Sequence, residues 1–93
     1  MASNVVKKDG TKEPFNSEKI RNSISAAAEL ANLSEEKKNE VVEQVATTVI
    51  QMAEKKEEIA TSELREKILS DLDRIEPSVS AAWRKYDQEQ KGA

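Results

Sequence analysis

The segment Val5-Val6-Lys7-Lys8-Asp9-Gly10-Thr11-Lys12-Glu13-Pro14-Phe15-Asn16-Ser17-Glu18-Lys19-Ile20 contains a turn signal and then a change of hydrophobic period. Asp9-Gly10 lies between two short segments, and Asp-Gly is the strongest local signal for a two-residue type I′ turn, because both central residues need positive φ. The reading is a hairpin over about 5–15, with Lys8 opposite Thr11 and Val6 opposite Glu13. Pro14 has no N–H to give to a ladder, which marks the second strand as an edge or a strand end. So small a ribbon cannot stand alone and must cover something else. Asn16 or Ser17 then caps a helix in which Ile20, Ile24, Ala27, Ala28 and Ala31 recur at three- and four-residue spacing.

The same period continues to the end of the chain. Ser34 caps a second helix, Glu35 and Glu36 suit its positive N-terminal end, and Val41, Val42, Val45, Val49, Met52 and Ala53 form its apolar stripe. Glu57-Glu58-Ile59-Ala60 is long enough only for a connector or one brief extended stretch. Thr61 or Ser62 caps a third helix carrying Leu64, Ile68, Leu69, Leu72 and Ile75. Pro77 ends that pattern and opens a fourth helix, with Val79, Ala82, Trp83 and Tyr86 on one face. Helices are expected at about 17–32, 34–56, 62–75 and 78–89, with a frayed tail beyond. Four amphipathic helices with short connections and a hairpin at one end define an α+β fold, mostly α, whose bulk is a four-helix bundle.

Composition narrows the chemistry. The 93 residues include no Cys and no His, which excludes a structural zinc site, a disulfide scaffold, a thiolate nucleophile and a Ser-His-Asp hydrolase. With glycine only at positions 10 and 92, neither the phosphate-binding GxxxxGK[ST] loop nor the dinucleotide GxGxxG turn can be written. Fifteen basic against 18 acidic residues, a net charge of -3, argue against direct binding to a nucleic-acid backbone. No apolar run approaches the roughly 20 residues of a membrane span, and the N-terminus lacks a hydrophobic signal segment. A cytoplasmic location is expected. At this size only about 60 to 65% of the chain's surface can be buried, and with three aromatic residues Ala, Val, Ile and Leu must fill the core.

One cluster could bind an anion. Lys7 and Lys8 flank the turn, Lys19 lies in the first turn of the first helix, and the free N–H groups of that helix start carry partial positive charge. Cations converging from different elements can hold a triphosphate without a glycine loop. Solvated surface lysines are the ordinary alternative.

The order Val5-Val6-Lys7-Lys8-Asp9-Gly10-x-x-Glu13-x-Phe15-Asn16-x-x-Lys19-Ile20 resembles the opening signature of the ATP-cone, an allosteric nucleotide-binding domain of ribonucleotide reductase large subunits and their transcriptional repressor. Ile59-Ala60-Thr61-Ser62-Glu63-Leu64 continues the match. The resemblance covers essentially residues 1–93 as a single domain. It implies a four-helix bundle capped by a small three-stranded sheet, with Ile59-Ala60 as the third strand, and ATP or dATP between sheet and helices with Mg²⁺ neutralising part of the charge. By the same resemblance Lys7 and Lys19 contact phosphate, Glu13 accepts hydrogen bonds from the base or sugar, and Asn16 offers its amide near the helix start. Phe15 lies in the matching segment that lines the nucleotide, and Thr61 touches the nucleotide while also serving as a helix cap. Lys8 stands where arginine is common, keeping the charge without bidentate geometry. Arg84, Lys85 and Lys91 are candidates for a late phosphate contact, and Trp83 falls on the apolar stripe and is assigned to the core.

With no reductase barrel and no zinc ribbon in these residues, the expectation is a regulatory module, not an enzyme, that binds adenine nucleotide and signals through a protein partner or its own assembly. The alternative is a helical interaction domain that has kept the fold without the ligand.

Overall fold

The turn at Asp9-Gly10 forms, but with different geometry from the two-residue loop. The computed structural model describes residues 4–92, and side chains as far as 89, so the ends of the expected 1–93 span and the side chain of Lys91 lie outside the described residues. Gly10 takes φ of 88° whereas Asp9 does not have positive φ, which excludes type I′. Gly10 N–H donates to Lys7 C=O at 2.9 Å and Lys7 N–H to Thr11 C=O at 2.8 Å, so three residues, 8–10, form the loop. The added residue moves the register by one. Val5 rather than Val6 opposes Glu13, and Val6 opposes Lys12. Asp9 explains why this turn wins: its Oδ1 accepts from both the backbone N–H and the hydroxyl of Thr11, a local bond that Asp makes readily in turns.

Strands β1 (Asn4–Val6), β2 (Lys12–Pro14) and β3 (Glu58–Ala60) lie in the order β2-β1-β3. Pro14 is thus on an edge strand, and the Ile59-Ala60 stretch is the third strand. β3 runs parallel to β1, with Val5 beside Ile59 and Val6 beside Ala60. Because side chains alternate across a strand, Val5, Glu13 and Ile59 share one face. Val5 and Ile59 are buried in the same cluster as the helical core residues, so this face meets the helices.

The helices are α1 (Ser17–Leu30), α2 (Glu35–Glu54), α3 (Thr61–Ile75) and α4 (Pro77–Gly92). Helix α1 packs on α2 and α4, and α3 packs on the same two. The expected caps hold at two starts: Asn16 accepts from Glu18 N–H at 2.9 Å, and Ser34 from Lys37 N–H at 3.3 Å. At α3 neither Thr61 nor Ser62 is the cap. The strand runs directly into the helix, Ala60 takes the N-cap position without a side-chain bond, and Thr61 is already helical. Glu63, three residues after the cap, accepts from the Ala60 backbone N–H, half of a capping box.

Helix α1 stops two residues before the expected boundary because Asn32 takes φ of 61°. Asn32 N–H bonds to Glu29 C=O and Leu33 N–H to Ala28 C=O, the two bonds of a Schellman motif, with Asn in the position glycine usually fills. Helix α4 continues to Gly92, beyond the expected end at 89.

The core is aliphatic. Ile24, Val41, Val45, Val49, Ile59, Leu72 and Val79 are essentially inaccessible, and each such side chain contributes about 1.5–3 kcal/mol by burial. Phe15 and Trp83 pack against this cluster only in part, and Tyr86, expected on the buried stripe of α4, is half exposed. The hydrophobic pattern did not reveal two polar anchors. Asp71 of α3 is buried, accepting from Thr48 of α2 at 2.6 Å and from Lys67 at 3.1 Å. Buried Ser80 of α4 donates to Asp73 of α3, which also receives a two-pronged bond from Arg84 at 2.8 and 2.9 Å.

Candidate functional site

The one-residue change of register decides the site. It places Glu13 on the helix-facing side of the edge strand, and Lys7, two residues beyond Val5, has the same facing. Lys7 Nζ lies 3.3 Å from Glu13 Oε1. From the first turn of α1, Lys19 Nζ lies 3.6 Å from the other carboxylate oxygen, Oε2. Three residues expected to line a nucleotide, Lys7 and Lys19 at the phosphates and Glu13 at the base or sugar, therefore form one linked group, joining the β1–β2 turn, the edge strand and the start of α1.

The remaining expected residues surround this group unevenly. Phe15 connects β2 to α1 and is half-buried against the core. Asn16 uses its side-chain oxygen to cap α1, leaving its amide N–H groups for other acceptors. The parallel register that sets Val6 beside Ala60 brings the chain into Thr61 at the same end of the sheet as Lys7; Thr61 is exposed in the first turn of α3. Lys8 is exposed at the loop and makes no ion pair among the described residues. Asp9, in the turn beside Lys8, is committed to Thr11, whose hydroxyl and then backbone N–H hold its pKa below the usual value.

Of the two late basic candidates with described side chains, Arg84 is engaged by Asp73 and Lys85 is exposed on α4. Asp73 is correspondingly held well below the ordinary carboxylate range, first by Arg84 and then by the Ser80 hydroxyl.

A family model for the ATP cone domain matches residues 3–91. The chain belongs to the ATP-cone family. ATP-cone domains bind ATP or dATP as allosteric effectors and are regulatory rather than catalytic. A comparison with curated proteins gives no significant match.

In this cone a groove of about 700 Å³ lies between α1 and α4, lined by Asn22, Ser23, Ala26, Leu30, Trp83 and Tyr86 among others. None of the expected nucleotide residues lines it. It nevertheless begins next to them, because Asn22 and Ser23 follow Lys19 by three and four residues and so continue its face of α1. Leu30 and Tyr86, 56% and 50% accessible, are the exposed large hydrophobic residues among those described, and both border this groove. Trp83 has a second aspect beyond the expected core role, since it packs on the core and also forms part of the groove wall. The i+3, i+4 spacing from Lys19 was the available signal for Asn22 and Ser23. No helix among the described residues is long and apolar enough to cross a membrane.

Proposed function

We propose that this cone is a regulatory module that binds ATP or dATP without turning it over, and that it passes the signal to a protein partner or to its own assembly. The observation that carries the reading is the convergence of Lys7 and Lys19 on Glu13 beside the start of α1, within a chain matched almost throughout by the ATP-cone family. In this reading the sheet caps the helix bundle and the nucleotide lies between them. The two lysines and the first-turn N–H groups take the phosphates, Lys8 adds charge from the loop, and Glu13 turns to the base or sugar. Asn16 supplies its amide, while Phe15 and Thr61 border the site.

Mg²⁺ would travel with the triphosphate. Among the described residues no three acidic side chains converge as a dedicated metal cage, so the phosphate oxygens would supply its ligands and the protein would add cations around them. A cytoplasmic setting suits such a ligand.

The second reading is an interaction domain that has kept the fold without the nucleotide. The largely apolar groove between α1 and α4 favours it, as an exposed surface of that kind suits a protein contact. Calorimetric titration with ATP, dATP, ADP and GTP separates the two. The nucleotide reading expects adenine triphosphates to bind more tightly than ADP and than GTP. Equal binding of ATP and GTP, or no binding at millimolar concentration with Mg²⁺, favours the interaction domain. Prolonged incubation with ATP should release no phosphate above background, because the carboxylate at the lysine cluster, Glu13, is engaged by two ammonium groups and is assigned here to the nucleoside end rather than to an attacking water.

A further inference from the structure

Glu13 divides its carboxylate between two cations from separate elements. Oε1 faces Lys7 and Oε2 faces Lys19, so both oxygens are occupied. Side-chain exposures of 47% for Lys7, 69% for Lys19 and 35% for Glu13 leave water access to all three, and each pair is individually weak. A polyphosphate carrying several charges would draw both ammonium groups away from one carboxylate. That exchange leaves Glu13 ionised, on the helix-facing side of the strand, close to an anion it repels and without its former donors. A bare polyphosphate offers no donor in compensation. A nucleoside triphosphate does, through its sugar hydroxyls and the exocyclic amine of adenine.

We infer that Glu13 is a specificity-determining clasp: it holds Lys7 and Lys19 against inorganic polyphosphate and yields them to a ligand whose nucleoside end donates hydrogen bonds to the freed carboxylate. The inference rests on the proposed nucleotide site and adds to it a discrimination against the phosphate chain alone. Such selection matters for a sensor because the phosphates are shared by every nucleotide and by inorganic polyphosphate, whereas the donors of the nucleoside are not.

The test is calorimetric titration of the full chain and its Glu13→Gln variant with inorganic tripolyphosphate and, separately, with ATP at the same Mg²⁺ concentration. Gln keeps the shape and removes the charge. Tripolyphosphate should bind the variant about three- to tenfold more tightly than wild type at low ionic strength, the range expected when two exposed charge pairs no longer compete, and the gain should shrink as salt is added. ATP should gain less, so the preference for ATP over tripolyphosphate narrows. Glu13→Asp, which retains the charge, should keep the wild-type rejection, and Glu40→Gln, removing an exposed acid on α2, should show no comparable gain. Tripolyphosphate affinity unchanged or lowered in Glu13→Gln, no detectable tripolyphosphate binding by either protein, or an equal gain in Glu40→Gln would overturn the clasp. Wild-type ATP binding decides the nucleotide reading independently, since it can be present while the clasp fails.

Discussion

Lys7 and Lys19 are exposed, so their removal separates binding from folding. Lys7→Ala and Lys19→Ala should each weaken ATP by about 1.5–3 kcal/mol, the range for a hydrogen bond to a charged group, while the unfolding midpoint without ligand stays close to wild type. Calorimetry and thermal melts on the same samples check both halves of that statement. Their partner Glu13 was picked out in the sequence as a candidate residue, and so were both lysines. Their joining through one carboxylate was not, because Lys7 and Glu13 share a face only in the register the three-residue turn creates. Tyr86 shows the opposite error. Its spacing from Val79 and Trp83 suggests burial, yet it borders the open groove between α1 and α4, and the ring remains half exposed.

At the scale of elements, side-chain caps were easy to read where a polar residue precedes an amphipathic helix across a loop, as at Asn16 and Ser34. They failed at α3, where β3 passes directly into the helix and the polar pair Thr61-Ser62 is already inside it. Glu63 supports that junction instead. Its pKa is lowered chiefly by Lys56, with the Ala60 N–H adding to the effect, so Glu63→Gln should weaken the α3 start while leaving the helix periodicity intact. The hairpin misreading had a similar origin: Asp9 found a stronger local partner in Thr11 than a type I′ turn would allow. The end of α1 offers a sharper test. Asn32→Ala places a residue with no side-chain polar group in the left-handed region and should cost about 1–2 kcal/mol, whereas Asn32→Gly should be neutral or stabilising. Urea unfolding of the two variants distinguishes this from loss of an asparagine side-chain contact, which would weaken both equally.

For the whole molecule, a core built almost entirely from aliphatic side chains leaves little reserve. Ile24→Ala empties a fully buried position on α1 and should cost about 2–5 kcal/mol, lowering apparent ATP affinity only as far as unfolding depletes the folded state. Acid should act through the polar anchors between helices. Burial pushes the Asp71 carboxyl up, but the Thr48 hydroxyl, Lys67 and Arg74 outweigh it and the net shift is downward; Asp73 is lowered by Arg84 and Ser80. A carboxylate with a depressed folded pKa stabilises the fold above its unfolded pKa of about 3.9 and loses that contribution as pH falls further. The melting midpoint should therefore be nearly level from about pH 8 to 5 and drop below about pH 4, with a shallower drop in Asp73→Asn. The central claim concerns the ligand, and the most direct measurement is the thermal midpoint of wild type, Lys7→Ala and Lys19→Ala with and without ATP and Mg²⁺. A ligand that binds only the folded chain raises the midpoint by mass action. The account predicts a clear rise for wild type that is largely lost in both lysine variants; no rise in wild type, or the full rise retained in both variants, would contradict it.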